Sequence, residues 1–207
     1  MKITKLEHSG IAIEKTGETL VCDPVEFTSQ LPVFSNVIAI IITHKHSDHY
    51  QPDVVARILQ TNPNAQVFTT ADTAIEGATI VKAGDSATVG DFKLDFFGEN
   101  HAAIVPGQIP CENIGVVVDG RIVNPGDSFD LPEIKPGILF VPIAAPWSKI
   151  CESMDFVEKA MPDLVIPFHD AVLSPLGSQF NNNWLGRACS DVGADLMLLN
   201  PNQSIEI

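Results

Sequence analysis

Short apolar segments alternate with polar turn signals along most of the chain, a pattern that is typical of many short β-strands. The longest nearly unbroken apolar run is Val37–Ile42. The segments that we predict to be strands are Ile3–Leu6, Gly10–Glu14, Thr19–Cys22, Val37–Ile42, Gln66–Thr69, Thr79–Val81, Phe92–Phe97, Gly115–Val118, Ile122–Asn124, Ile138–Val141, Leu164–Pro167 and Asp195–Leu199.

Three other segments carry apolar residues at helical spacing. The first is Pro52–Gln60, which has a proline in its first turn and is ended by a following Asn-Pro pair. The other two are Ile150–Met161 and, after an Asn-rich first turn, Ser178–Cys189. Helices placed among many strands without a long linker predict one α/β domain over residues 1–207, with layered sheets.

Composition and charge narrow the class of protein. The chain has 207 residues, 45% hydrophobic and 18% charged, which is typical of a globular chain that buries a sizeable core. Its formal net charge of −14 disfavours nucleic acids and anionic membranes as partners. The first ten residues lack the apolar segment of a signal peptide, and the longest apolar run cannot span a bilayer. We therefore expect a cytoplasmic protein with a small-molecule substrate; a homo-oligomer is compatible with the sequence.

The four cysteines, Cys22, Cys111, Cys151 and Cys189, lie far apart and form no CxxC pair. This spacing argues against a zinc finger and against a dithiol redox motif. We expect these side chains to act as small, mostly buried hydrophobic residues.

A dense polar cluster follows the longest apolar run. The stretch ITHKHSDHY places three of the six histidines and one aspartate at His44, His46, Asp48 and His49. Residues two apart in an extended segment can point to the same side, so His44 and His46 can share one metal ion. Asp48 and His49 follow on the next turn and can face a second one. Histidine nitrogens and carboxylate oxygens suit zinc, manganese or iron. The alternative is a polar helix cap with exposed histidines.

Three more apolar runs end in a residue that can bind metal. Phe92–Phe97 is followed by His101, Ile122–Asn124 by Asp127, and Leu164–Phe168 by His169; His101 or His169 taken alone could be structural. If these strands are adjacent to Val37–Ile42 and similarly oriented, their ends converge on one edge of the sheet. The histidine cluster and the three later residues would then form one site.

These motifs, THKHSDH, GENHA, NPGDS and IPFHD in that order, together with EHSG and VCDP near the start, resemble the metallo-β-lactamase superfamily. The segment VPIAAPW and the small size are similar to the branch that includes ascorbate-6-phosphate lactonase. The resemblance implies an α/β fold, a four-layer αββα sandwich of mixed sheets. It also implies two divalent cations, with zinc favoured and manganese or iron as alternatives, and a hydroxide between them as the nucleophile.

The resemblance also implies a role for each ligand. His44, His46 and His101 would hold the first metal ion. Asp48, His49 and His169 would hold the second, and Asp127 would bridge the two, which makes Asp48 and Asp127 the catalytic candidates. No cysteine replaces a ligand, unlike in zinc β-lactamases that use one, and no glutamate replaces His46, unlike in the flavodiiron oxidoreductases.

Five further residues are candidates for orienting ligands or binding substrate. His8 is either a structural histidine or a residue that faces the ligands or the substrate. Asp23 is either an acceptor for a ligand N–H or part of a turn before Pro24. Trp147 offers an apolar wall to the pocket, and Tyr50 or Lys149 could bind an anionic group of the substrate.

Two functions follow as hypotheses. The first is a dinuclear metallohydrolase that acts on a small ester, lactone, thioester or phosphoester. The second is a metal-binding protein with a redox, sensor or scaffold role, in which the ligands contribute folding free energy and no substrate is hydrolysed.

Overall fold

Two seven-stranded sheets form the centre of the protein in the computed structural model, which describes residues 1–207. The first sheet has the order β14-β1-β2-β3-β4-β5-β6. Its strands are β1 (Lys2–Lys5), β2 (Ile11–Lys15), β3 (Glu18–Cys22), β4 (Val37–Ile42), β5 (Gln66–Thr69), β6 (Thr79–Ile80) and β14 (Ser204–Glu206). β1, β3 and β4 run in one direction, because β2 is antiparallel to both β1 and β3 while β4 is parallel to β3.

The second sheet has the order β13-β12-β11-β10-β9-β8-β7. Its strands are β7 (Ser86–Val89), β8 (Phe92–Phe97), β9 (Gly115–Val118), β10 (Ile122–Asn124), β11 (Ile138–Pro142), β12 (Leu164–Phe168) and β13 (Asp195–Leu196). β9 is antiparallel to both of its neighbours, and β10, β11 and β12 are mutually parallel. β8, β10 and β12 therefore also share one direction.

Helices cover the outer face of each sheet. The helices are α1 (Pro52–Thr61), α2 (Ile150–Ala160), α3 (Pro175–Val192) and a short 3-10 helix (Ala71–Thr73). The largest buried cluster lies between the two sheets and includes Ile41 and Phe140. A second cluster joins the second sheet to α2 and α3, and a third joins the first sheet to α1. The order of layers is αββα, so the predicted fold is confirmed.

The predicted elements differ from the observed ones mainly at the edges. β7 and β14 were not predicted, because each is short and carries polar or partly exposed residues at a sheet edge. α3 begins at Pro175 rather than Ser178, since Ser174 caps it by accepting a hydrogen bond from the Gly177 amide at 3.1 Å. α2 ends at Ala160, where the next residue, Met161, turns into the left-handed region with φ 47°.

The condition under which we expected the strand ends to converge, that the strands are adjacent, is not met. The four strands that precede the predicted ligands are not adjacent: β4 lies in the first sheet, and β9 and β11 separate β8, β10 and β12 in the second. The ends nevertheless meet, because the two sheets pack face to face and bring three strand ends each to a shared edge. The first sheet contributes the ends of β1, β3 and β4.

Candidate metal centre

The loop after β4 and the loop after β8 bring three imidazoles together. The Nε2 atom of His44 lies 3.0 Å from Nδ1 of His46, and the two rings each lie within 4.8 Å of the His101 ring, centroid to centroid. One ring nitrogen from each residue lies within 4.8 Å of the other two. His44 and His101 are buried and His46 is partly exposed. Three converging nitrogen donors are a suitable protein ligand set for one cation.

Asp127, at the end of β10, lies at the centre of the histidines. Its Oδ1 atom lies 3.0 Å from Nε2 of His49, and its Oδ2 atom lies 3.2 Å from Nε2 of both His101 and His169. The Nε1–H of Trp147 donates a hydrogen bond to the same Oδ2 at 2.9 Å. The carboxylate thus contacts donors of both predicted cation sites, which is the position that a bridging ligand would need.

Asp48 forms a third group of donors with His169 and His8. Its Oδ2 atom lies 3.5 Å from Nε2 of each of these histidines. His49 groups instead with His44 and Asp127. The structure therefore brings together all seven residues that we predict as ligands and adds His8 to them; their assignment to individual cations stays a prediction.

Each buried histidine that follows a strand has a fixed hydrogen-bond partner at Nδ1. The imidazole of His49 donates to Oδ2 of Asp23 at 2.8 Å, and that of His169 donates to the carbonyl of Ala144 at 2.6 Å. His101 similarly meets the carbonyl of Ala102 at 2.5 Å. An Nδ1–H that donates to oxygen leaves the Nε2 lone pair free, which is the arrangement that metal-ligating histidines usually show.

Asp23, at the end of β3, connects two of the strand ends. Its carboxylate accepts hydrogen bonds from the amide and the hydroxyl of Thr43 at 2.8 and 2.7 Å, in addition to the bond from His49. The Thr43 hydroxyl in turn lies 3.1 Å from Nδ1 of His44. This buried network holds the histidine loop, residues 43–49, against β3. Of the two roles that we considered for Asp23, its contacts are those of an acceptor for a ligand N–H.

The electrostatics of the centre are dominated by its carboxylates. Burial alone would raise the pKa of Asp127, but the charge of His49 and the imidazoles of His101 and His169, whose Nε2 atoms lie 3.2 Å from its Oδ2, hold it well below its usual value. Burial lowers the pKa of His169, yet the carboxylates of Asp127 and Asp48, which lie 3.2 and 3.5 Å from its Nε2 atom, raise it to about 9. The carboxylates thus stay ionised and attract positive charge, which a divalent cation can supply in exchange for protons.

A test of whether a cation fits comes from the polar atoms that the protein itself leaves unpartnered. Nε2 of His49, Nε2 of His169 and Oδ1 of Asp127 are buried and lack a hydrogen bond. The first and last of these atoms lie only 3.0 Å apart but are misaligned for a hydrogen bond. Buried polar atoms are otherwise almost always satisfied. Nitrogen and oxygen atoms that lie this close without a hydrogen bond between them are arranged as ligands of a shared cation would be.

Several strand ends at the centre have unusual backbone conformations. His8, Asp23 and His169 adopt φ values of 55°, 45° and 58°, in the left-handed region that residues other than glycine seldom occupy. Gly126 also has a positive φ of 62°, and a Cβ there would lie 2.3 Å from Oδ1 of Asn113. Strained residues of this kind persist where the surrounding structure fixes them, and they cluster at functional sites.

The remaining candidates fall into two groups. Trp147 lies beside the centre, where it contacts Asp127 and packs edge-on against the His101 ring. Tyr50 packs instead against the cluster around α1. Lys149 is exposed, with its Nζ atom 3.8 Å from Glu152 at the start of α2. The structure brings neither of these two side chains to the centre.

Two adjoining cavities open over the histidines. One, of about 230 Å³, is lined by His46, Ser47, Asp48, His101, Ile104, Asp127, Pro146, Trp147 and His169. The other, of about 340 Å³, shares His46, His101 and Ile104 and continues along the loop to Cys111. Together they offer room for a small molecule next to the predicted ligands.

Sequence reasoning missed some of the residues around the centre. Cys111 is half-buried, with its Sγ 3.6 Å from Nε2 of His46, and Cys151 is exposed, so the expectation of four mostly buried cysteines holds only for Cys22 and Cys189. The fully buried Lys5 pairs with Asp170 at 2.9 Å. The sequence gives no local sign that a lysine in a strand will be buried in an ion pair. Its partner, Asp170, could have drawn attention because it directly follows the predicted ligand His169.

Comparison with known proteins identifies the family. The sequence profile of the family described as β-lactamase superfamily domain matches residues 2–169. The chain belongs to this superfamily. The matched region runs from β1 to His169 and so contains every residue that we predict as a ligand.

Individual relatives agree with this membership. Protein Rv0786c of Mycobacterium tuberculosis is 31% identical over 183 residues, which cover 84% of this chain and 86% of that protein. Among solved structures, Igni18, a metallo hydrolase from the archaeon Ignicoccus hospitalis, superposes with a TM-score of 0.75 at 18% identity, over 100% of this chain and 98% of that one.

A second structural relative catalyses a different reaction. CmlA, a diiron β-hydroxylase from Streptomyces venezuelae, superposes with a TM-score of 0.75 at 13% identity, covering 100% of this chain and 54% of that chain. At such identities the likeness shows the β-lactamase superfamily fold and not the reaction. Helices of the protein are all too short or too polar to cross a membrane.

Proposed function

We propose that this member of the β-lactamase superfamily is a hydrolase with a dinuclear metal centre that acts on a small ester, lactone, thioester or phosphoester. The observation that carries the proposal is the position of Asp127, whose carboxylate lies 3.2 Å from Nε2 of His101, a donor to the first cation, and 3.0 to 3.2 Å from Nε2 of His49 and His169, donors to the second. A single carboxylate that contacts donors of both sites is suited to hold two cations close together.

The donors divide between two cations. His44, His46 and His101 would hold one cation; Asp48, His49 and His169 would hold the other, with Asp127 between them. Nitrogen-rich sets of this kind suit zinc, and manganese or iron are alternatives. When bound, the cations would act as Lewis acids that polarise a carbonyl or phosphoryl oxygen and would acidify water.

The chain itself would keep these donors oriented and partly shielded from water. Asp23 and the carbonyls of Ala102 and Ala144 fix three imidazole rings, so that little reorganisation is needed when a substrate binds. Trp147 covers one side of Asp127 and holds its Oδ2 by a hydrogen bond. A fixed, shielded carboxylate retains its charge and position through the reaction.

The cavities and the charge support a small substrate. The two cavities, of about 230 and 340 Å³, suit a metabolite-sized molecule. Ile104, Ile109 and Pro110 give the larger one an apolar side, while His46 and His101 connect it to the centre. The net charge of −14 disfavours a nucleic-acid substrate. A small ester or lactone with an apolar portion would fit the cavities and their apolar side, and it is not a nucleic acid.

The test is a hydrolysis assay on the zinc-loaded protein with a panel of lactones, esters, thioesters and phosphodiesters. We expect turnover of at least one class, and its loss in Asp127→Ala. Asp163→Ala is the matched control, because that aspartate is exposed and pairs only with Lys135 on the surface. Bound zinc without turnover of any panel member would favour the alternative function, a metal-binding protein with a redox, sensor or scaffold role.

A further inference from the structure

His8 lies among the candidate ligands although the predicted ligand set does not include it. It follows β1, is 1% exposed, and its Nε2 atom lies 3.5 Å from Oδ2 of Asp48. Its ring centroid lies 3.9 Å from that of His169. Distance alone would make His8, Asp48 and His169 a three-donor cation site.

The hydrogen bonds at the other ring nitrogen separate His8 from its neighbours. In His49, His101 and His169 the Nδ1 atom faces an oxygen that can only accept, a carboxylate or a backbone carbonyl. In the neutral form of these three rings Nδ1 therefore carries the proton, and the Nε2 lone pair points into the centre. That tautomer can bind a cation.

His8 has the opposite arrangement. Its Nδ1 atom accepts a hydrogen bond from the backbone N–H of Ala171 at 3.2 Å. Because a backbone amide can only donate, Nδ1 must be unprotonated, and the neutral ring carries its proton on Nε2. The nitrogen that faces Asp48 is thus an N–H donor, which has no lone pair to offer a cation.

The backbone around Ala171 is held in place and imposes this tautomer. The amide of His169 donates to the carbonyl of His8 at 2.9 Å, which ties the end of β12 to the end of β1. Two residues later in the same loop the Ala171 amide meets His8 Nδ1. The buried ammonium of Lys5 adds a second tie, since it contacts both oxygens of Asp170 at 2.9 and 3.1 Å.

We propose that His8 is a positioning residue rather than a cation ligand: its Nε2–H donates to the Asp48 carboxylate and aims that carboxylate at the cation. Nε2 of His8 is buried and has no hydrogen-bond partner within the protein, while the partly exposed Asp48 places its Oδ2 atom 3.5 Å from that nitrogen. A buried donor favours the nearest acceptor. The inference rests on the proposed cation site and deepens it.

The direct test is the tautomer of His8 in the full-length, zinc-loaded, ¹⁵N-labelled protein, read from long-range ¹H–¹⁵N correlations of the imidazole rings. We expect His8 to be protonated at Nε2, and His49, His101 and His169 at Nδ1. The His8→Gln spectrum assigns the signals. A His8 ring that is protonated at Nδ1, with Nε2 shifted by zinc, would overturn the proposal.

Zinc titration with a chromophoric competitor gives the second readout. His8→Ala should bind the same number of zinc ions as the wild-type protein, about 10-fold to 100-fold more weakly at one site. His8→Gln keeps an N–H near the position of Nε2 and should restore much of that affinity, whereas His169→Ala should lose a zinc ion. The proposal fails if both His8 variants lose a zinc ion, or if His8→Ala binds zinc as tightly as the wild type. Neither readout uses a substrate, so a protein that hydrolyses nothing would contradict only the proposed function.

Discussion

At the scale of residues, the centre depends on Asp127, which the protein buries beside three histidines and one tryptophan. We expect Asp127→Asn, which keeps the size of the side chain and removes its charge, to lower hydrolysis by more than about 100-fold and to reduce bound zinc. The measurement is turnover on the responding substrate together with zinc content by mass spectrometry. An unchanged rate with normal zinc content would show that the carboxylate is not a ligand.

Asp23 supports the centre without facing a cation, because it accepts the Nδ1–H of His49 and two hydrogen bonds from Thr43. Replacing an outer partner of this kind costs about 10-fold to 100-fold in metal affinity. We expect that loss in Asp23→Asn, measured by competition with a chromophoric chelator. Asp163→Asn, at an exposed ion pair, is the control and should bind zinc normally. Equal zinc affinity in both variants would show that Asp23 does not support cation binding through His49.

The sequence allowed most of these residues to be predicted as ligands, since HxHxDH and the three later strand ends are visible as a pattern. The tautomer of His8 could not be predicted, because it depends on the Ala171 amide, 163 residues away. The neighbourhood of Cys111 and His46 likewise depends on how the loop after β8 folds back.

At the scale of elements, six strand ends converge, three from each sheet: β1 brings His8, β3 brings Asp23, β4 brings the histidine loop, and β8, β10 and β12 bring His101, Asp127 and His169. Each donor is therefore attached to a strand of the core between the sheets. Strands that pack rigidly allow short loops to hold strained backbone at the site.

The turn after β10 is the element-scale prediction. Gly126→Ala would place a Cβ 2.3 Å from Oδ1 of Asn113, at a φ of 62°. Gly120, in the β9–β10 turn, has nearly the same φ of 63° with nothing within 4 Å, so Gly120→Ala isolates the backbone strain. We expect a cost of about 1–2 kcal/mol for the control and a clearly larger loss of stability for Gly126→Ala, by urea denaturation. Equal losses would mean that the collision is relieved without strain.

The apolar runs that cross the core could be predicted from the sequence, because burial on a strand leaves a strong hydrophobic pattern. The edges could not. β7 carries exposed and partly buried residues at three of its four positions, and β14 pairs with β1 from the other end of the chain. Pairing across such a sequence distance leaves no local signal. For the same reason, the sequence does not reveal that β4 lies in the opposite sheet from β8, β10 and β12.

At the scale of the whole molecule, cation binding should stabilise the fold, since the donors come from both sheets. A ligand that binds only the native state at 100 times its dissociation constant adds about 2.7 kcal/mol. For a chain of this size we expect zinc to raise the melting temperature by roughly 5–10 °C, and a chelator to reverse the shift. Differential scanning calorimetry measures it, with Asp127→Asn as the control. A melting temperature that does not respond to zinc would argue against a site that joins the sheets.

The measurement that tests the two-cation centre most directly is anomalous diffraction at the zinc absorption edge from crystals of the zinc-loaded protein. We predict two peaks, about 3.5–4 Å apart, one against His44, His46 and His101 and the other against Asp48, His49 and His169, with Asp127 touching both. A single peak, or none among these residues at full zinc loading, would contradict the dinuclear centre.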